Sequence, residues 1–205
     1  MFPVFLAAAF IGTSAVPPAL PTLAENPIRL IECNEGQGSG FVVGKDIIAT
    51  AAHVAESTGC YDVGSHRFVR PYYVDHQHDF ALLTADISDT VVPIKYNCKR
   101  YKTNREYTSY GWTSYDTTKL TEHMRSAVAK KNYSTSDMVV SMPWGTVSLP
   151  GARHLDGGAL PGMSGGPVMR NGIAYGLNNY GNMTIFGPTG ENYSFELADT
   201  ILCKR

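Results

Sequence analysis

The chain has 205 residues, of which 17 are Lys or Arg and 18 are Asp or Glu, for a formal net charge of -1. That balance, with no long basic block, argues against nucleic acid or an anionic membrane as a partner. Aromatic and β-branched residues are plentiful and only 17% of residues are charged, which excludes disorder and coiled coil; a chain of this length buries a good core as one domain or two compact lobes.

The opening stretch, "MFPVFLAAAFIGTSA", is apolar and uncharged, and its apolar run is short for crossing a bilayer. It reads as a secretory leader over residues 1–24. Small residues at Thr13 and Ala15, or at Thr22 and Ala24, suit a signal peptidase, although no Lys or Arg marks its start. A buried strand or a membrane-proximal segment is the alternative. "VPPALPTLAENP" then reads as a linker, because its prolines stop helix or sheet from starting, and the folded part is expected near Ile28.

From there short β-rich runs alternate with turn residues: "IRLIEC", "GFVVG", "DIIATAA", "HRFVRPYYV", "FALLTAD", "REYTSYGWT", "DMVVSMPW", "GPVMRNG" and "IAYGLNNYG". Many short strands between Gly, Asn, Asp and Pro predict an antiparallel all-β architecture, barrel or sandwich. "LTEHMRSAVAKK" lacks a firm apolar stripe and is read as strand, while "FELADTILCKR" supplies a short C-terminal helical turn. The polar, basic stretch Pro93 to Arg105 is the expected connection, with 96–105 as the linker between β units at 25–95 and 106–205. Cys33, Cys60, Cys98 and Cys203 form an even set with no C-x-x-C pair, which disfavours zinc and permits two disulfides in an exported protein. Counting leaves the three possible pairings open.

Chemistry concentrates in "LPGMSGGPV", Leu160 to Val168. Gly162, Gly165 and Gly166 let the amides around Ser164 converge on one point, as an oxyanion requires, yet Gly, Ser and Pro are equally the residues of an ordinary turn. A serine hydroxyl needs a base to become a nucleophile. Of His53, His66, His76, His78, His123 and His154, His53 stands out, because "GSGFVVGKDIIATAAHV" runs strand, turn, strand and then small residues before it. A histidine after an apolar strand is also a common structural residue. Asp79 in "HQHDFALL" opens an apolar strand, and a buried carboxylate there would need a partner such as an imidazole N–H. Asp62, Asp75 and Asp86 read instead as turn residues.

Taken together, "TAAHV", "HDFALL" and "GMSGGPV" resemble the three catalytic blocks of the chymotrypsin-like (trypsin-fold) serine peptidases, in the family's chain order His, Asp, Ser. "GSGFVV" ahead of the first and "NGIAYGLNNYG" behind the last extend the likeness over nearly the whole chain from Ile28. The resemblance implies an all-β protein of two antiparallel six-stranded β-barrels with the site between them. His53 and Asp79 would come from the first barrel and Ser164 from the second; Gly162 and Ser164 would supply the oxyanion amides. It implies a serine endopeptidase acting on protein or peptide, without metal or cofactor; the apolar leader and the even cysteine count point to a secreted or periplasmic chain, expected as a monomer free of the membrane once its leader is gone. It also implies the bridges Cys33–Cys60 and Cys98–Cys203.

This sequence departs from the digestive members of the family at Met163, where they carry an aspartate that pairs with a new N-terminus, and it has no "IVGG"-like start near Ile28. Activation by N-terminal insertion is therefore not expected, and the oxyanion loop should be held by local packing. Gly158 matches the position of an acidic pocket base, so cleavage after Arg or Lys is unsupported there. Asn179, Tyr180 and Gly181 align with the segment that pairs with substrate backbone, as pocket wall and strand-addition edge, and Glu191 or Asn192 with the far pocket wall, Glu191 being otherwise a solvated loop residue.

Other functions remain distinguishable. Alternating His76, His78 and Asp79 admit a metal site, which chelator sensitivity would reveal, although no third well-placed ligand is evident. A silent homologue serving as a binding module would label with no serine-directed probe, and a third variant cuts only its own precursor. The sequons at Asn132, Asn182 and Asn192 decide nothing.

Overall fold

The computed structural model describes residues 23–103, 105–113, 123–131, 138–142, 145–149, 151–156, 160–184 and 187–204. Residues 1–22 of the expected leader, Gly158 and Asn132 lie outside the described residues. The first unit is a seven-stranded antiparallel sheet made of β1 (Ile28–Cys33), β2 (Gly36–Gly44), β3 (Ile47–Thr50), β4 (Tyr61–Asp62), β5 (Arg67–Phe68), β6 (Arg70–Asp75) and β7 (Phe80–Thr84), in the order β5-β4-β1-β2-β3-β7-β6. Its edge strands, β5 and β6, are separated along the chain by Val69 alone, whose N–H donates to the Cys60 carbonyl at 3.1 Å. A flat sheet cannot bring opposite edges within one residue of each other, so this one is curled almost to closure. It numbers seven strands where six were expected, because the short stretch after Cys60 folds back as the separate pair β4 and β5.

The second unit contains β8 (Glu106–Thr113), β9 (His123–Lys131), β10 (Met138–Met142), β11 (Gly145–Leu149), β12 (Arg153–Asp156), β13 (Pro167–Arg170), β14 (Ile173–Thr184) and β15 (Gly187–Glu196). Six of them close a barrel in the order β12-β15-β14-β13-β8-β9, while β10 and β11 form their own two-stranded sheet. In the run "LTEHMRSAVAKK" the described part, His123–Lys131, is strand, as the lack of an apolar stripe predicts: β9 pairs with β8 from His123 opposite Thr113 to Lys130 opposite Glu106. Asn171, at φ +52°, turns the chain between β13 and β14, a conformation Asn tolerates better than other side-chain-bearing residues. The expected C-terminal helical turn is a 3-10 turn at Leu197–Asp199.

The two units share a core. One apolar cluster runs from Ile31, Phe41, Ile48, Phe80 and Leu83 of the first sheet to Trp112, Leu177, Phe195 and Leu197 of the second. A smaller cluster of Tyr101, Tyr107, Leu155 and Val168 fills the second barrel. Trp112 Nε1 donates to the Ile28 carbonyl at 2.8 Å, which satisfies the one polar group of a side chain buried at the junction. The connection from β7 to β8 touches the second barrel on its way: the Ala174 N–H donates to the Lys95 carbonyl and the Asn97 N–H to the Ala174 carbonyl, both at 2.8 Å. Both implied disulfides are present, Cys33–Cys60 across 27 residues and Cys98–Cys203 across 105. Loop-closure entropy makes such bridges worth about 3–5 kcal/mol each, the longer one more.

Asp62 opens a turn, its Oδ2 accepting from the Ser65 N–H at 3.2 Å, but it is more than a turn residue. It lies on β4 with no exposure and takes a two-pronged ion pair from Arg29, itself 2% exposed. Arg29 Nη1 also donates to the carbonyls of Leu23 (3.2 Å), Ala24 (3.0 Å) and Asn26 (3.0 Å), so fixed structure begins ahead of the Ile28 start expected from the prolines. Removing one member of a buried pair strands the other charge. Arg29→Met is expected to destabilise by about 3–5 kcal/mol, and Arg29→Met with Asp62→Leu by clearly less, as read by urea unfolding of both variants beside the parent.

Candidate active site

His53 does not sit at the strand end itself but in a single helical turn, α1 (Ala52–Ala55), just after β3. The turn starts where the Ala51 carbonyl accepts from the Val54 and Ala55 N–H groups, at 3.2 and 3.1 Å, and small alanines let it pack against the sheet. Its ring is held from two sides. Nδ1 lies 2.9 Å from Asp79 Oδ2 and 3.1 Å from Oδ1, and the ring stacks on Tyr180 with centroids 5.1 Å apart. Since an ionised carboxylate only accepts, Nδ1 carries the proton and Nε2 keeps its lone pair.

Asp79 is 3% exposed and occupies the left-handed region at φ +42°, where the turn from His76 leads into β7. Its carboxylate accepts from His53 Nδ1, the His53 backbone N–H (3.0 Å) and Asn179 Nδ2 (2.8 Å). Asn179 comes from β14 of the other unit. It was expected as pocket wall, but it is 1% exposed and acts as a clasp, with Nδ2 also donating to the Asp79 carbonyl at 2.9 Å and Oδ1 accepting from the Phe195 N–H at 2.9 Å. Its own carbonyl takes the Ser164 hydroxyl at 3.1 Å. Asn179 therefore touches both Asp79 and Ser164, and among the described hydrogen bonds Ser164 Oγ donates to this carbonyl and not to His53.

The segment around Ser164 is pinned by backbone bonds from Met163 N–H to Leu160 O (3.0 Å), Gly166 N–H to Met163 O (3.0 Å) and Gly165 N–H to Asn178 O (2.6 Å). Gly165 has φ +83°, and a β-carbon there would fall 2.2 Å from both Ser39 O and Thr50 Oγ1. Gly162 has φ +90°, and its carbonyl is drawn away by Ser39 Oγ at 2.7 Å. Among the described residues the N–H groups of Gly162 and Ser164 have no acceptor, which is the arrangement an incoming oxyanion requires. Met163 is wholly buried against Gly111 of β8, with its sulfur accepting from the Leu160 N–H at 3.3 Å. Where the digestive enzymes use a charge, packing does the holding.

Sequence reading missed Ser39. Its N–H donates to the Ser164 carbonyl (2.7 Å), its hydroxyl accepts from the Trp112 N–H (2.8 Å), and its carbonyl accepts from Thr50 Oγ1 (2.7 Å). The signal was a serine between two glycines in "GSG", which lets neighbouring backbones come close. Asn192 is a correction of another kind: it is fully buried inside the second barrel, and its amide donates to Ser109 Oγ and Asn178 Oδ1, so it lines no pocket wall. Glu191 lies on β15 opposite Asp156. Gly181 is exposed on β14, which beyond Leu177 has no strand partner on the β13 side among the described residues. The histidines of "HQHD" diverge: His78 Nδ1 pairs with Asp75 Oδ2 at 2.8 Å and His76 Nε2 with Glu56 at 3.5 Å, while Asp79 serves His53.

A family model described as "trypsin-like peptidase domain" matches residues 38–174. The chain belongs to that family. Among solved structures, the Rv3671c protease from M. tuberculosis in its active form is similar at 17% identity and a TM-score of 0.62, over 94% of this chain and 89% of that one. The HtrA-type protease AlgW with a decapeptide follows at 13% identity and 0.62, over 85% and 62%. A serine endoprotease from Yersinia pestis is similar at 16% and 0.59, over 88% and 64%. No curated protein matches the sequence.

Tyr180 carries an electrostatic signature of this site. Burial first, and then the charge and hydrogen bonding of Asp79 with a further push from Glu56, holds its phenol well above the ordinary tyrosine range. With the folded-state value raised, the protonated phenol contributes stability that is whole below about pH 10 and is lost as pH rises through the raised value. Tyr180→Phe should therefore remove one late phenolate step from an ultraviolet titration and flatten the alkaline fall in stability.

Proposed function

We propose that this chain is a serine endopeptidase in which Ser164 is the nucleophile, His53 the general base and Asp79 the group that orients it. The observation that carries the reading is the His53–Asp79 pair, locked across the two units by Asn179 beside two unoccupied backbone N–H groups at Gly162 and Ser164. For the reaction the Ser164 hydroxyl would leave the Asn179 carbonyl, on which it rests at 3.1 Å, and donate to His53 Nε2. As Oγ attacks a peptide carbonyl, Nε2 takes its proton, and the N–H groups of Gly162 and Ser164 receive the oxyanion. His53⁺, stabilised by Asp79, then protonates the departing amine. The acyl-enzyme left behind is hydrolysed by water through the same steps.

Substrate backbone would add along Tyr180 and Gly181, on the stretch of β14 whose outer edge no described strand occupies. The occupants are peptides or proteins, and no cofactor enters the chemistry. Two disulfides fit a location outside the cytoplasm, in line with a secretory leader and a secreted or periplasmic monomer. The Ser164 hydroxyl resting on Asn179 favours a second reading, a silent homologue that binds peptides without cutting them.

A fluorophosphonate probe followed by mass mapping separates the two. Labelling is expected at Ser164 and nowhere else, to vanish in Ser164→Ala and to become negligible in His53→Ala; a folded parent protein that takes no label would favour the silent homologue. Asp79→Asn should lower turnover on the order of 10³- to 10⁴-fold, since the amide holds the wrong tautomer. Peptide hydrolysis measured beside thermal unfolding checks it.

A further inference from the structure

Gln37 is the second residue of β2, two before Ser39, so the two side chains stand on the same face of the strand. Ser39 uses its hydroxyl on the Gly162 carbonyl. One step along, the Gln37 carboxamide reaches the same glycine: Nε2 stands 2.6 Å from where a β-carbon on Gly162 would lie. That nitrogen is sealed from solvent and has no acceptor among the described residues. In the turn itself the Leu160 carbonyl takes the Met163 N–H, Gly162 takes Ser39 Oγ, Met163 takes the Gly166 N–H and Ser164 takes the Ser39 N–H, and none of them accepts from Gln37. A buried donor without an acceptor costs free energy that an apolar side chain of similar size would not. Its position beside the oxyanion loop indicates what would offset that cost, namely a carbonyl oxygen brought in by the substrate.

We propose that Gln37 is a substrate-contacting residue whose carboxamide N–H donates to a peptide carbonyl oxygen bound against the Gly162 loop. The proposal rests on the serine peptidase reading. It adds a side-chain donor to the two backbone N–H groups of Gly162 and Ser164, supplied by the first unit and not by the loop that carries the nucleophile. Gln37→Leu keeps most of the volume and removes the donor, and Gln37→Glu places a negative charge at the same point.

Both variants would be compared with the parent in hydrolysis of a peptide that extends on both sides of its scissile bond, in fluorophosphonate labelling of Ser164, and in thermal unfolding. Gln37→Leu is expected to lower kcat/KM for the extended peptide on the order of 10- to 100-fold, with an unfolding temperature equal to or above the parent's. Gln37→Glu should fall further. A donor that only held the loop together would instead lower the unfolding temperature. Slower labelling in the variants assigns the bond to the scissile oxygen, because the phosphonyl oxygen occupies that place, and unchanged labelling with slower peptide cleavage assigns it to a carbonyl on the leaving side; both support the proposal. Peptide cleavage by Gln37→Leu at the parent's rate overturns it. A folded parent protein that neither labels nor cleaves removes the peptidase reading, and the proposal falls with it.

Discussion

A carboxylate that is 3% exposed has to be given in donors what it loses in water, and in this protein that carboxylate belongs to Asp79. Its donors come from both halves of the chain: His53 from the helical turn after β3, and Asn179 from β14 of the closed barrel. Satisfying one buried charge therefore sets the imidazole tautomer, orients the ring and draws the two units together at the site. Asn179 extends the arrangement in both directions, through the Phe195 N–H into the core and through its own carbonyl to the Ser164 hydroxyl. The left-handed backbone at Asp79 is held by this network of contacts.

Ser39 has the corresponding part on the oxyanion side. With its N–H, hydroxyl and carbonyl all engaged, it ties β2 to β3, to β8 and to both ends of the Gly162–Ser164 turn. The Gly162 carbonyl is turned towards Ser39, and the Gly162 and Ser164 amides remain without acceptors. Met163 completes the support from beneath, fully buried against Gly111. Packing and neutral hydrogen bonds thus hold the Gly162–Ser164 turn.

The rest of the fold keeps these contacts in register. The first sheet, curled until its edges meet at Val69, presents α1 and the Asp79 turn, and the closed barrel presents the Ser164 loop and β14. A continuous apolar cluster and the Cys98–Cys203 bridge join the two. Arg29 and Asp62, a buried ion pair, anchor the entry of the chain to the short β4 strand.

Sequence by itself determined the β architecture, because short β-branched runs between turn residues have few other ways to fold, and it located His53, Asp79, Ser164 and the Gly162 turn, because each lies in a local motif with its own backbone demands. Through Met163 it also led to the expectation that packing holds the Gly162 turn, and Met163 is buried there. It could not show that Asn179 is a clasp and not a pocket wall, that Asn192 faces the barrel interior, that Asp62 is the buried partner of Arg29, or that Gln37 points an unpaired amide at Gly162. Each of those depends on a partner elsewhere in the chain, 14 residues away for Asn192 and Asn178 and 100 for Asn179 and Asp79. Local composition specifies which backbone shapes are cheap; which polar groups end up buried together, and so which must bond to one another, was decided only when the two sheets closed over them.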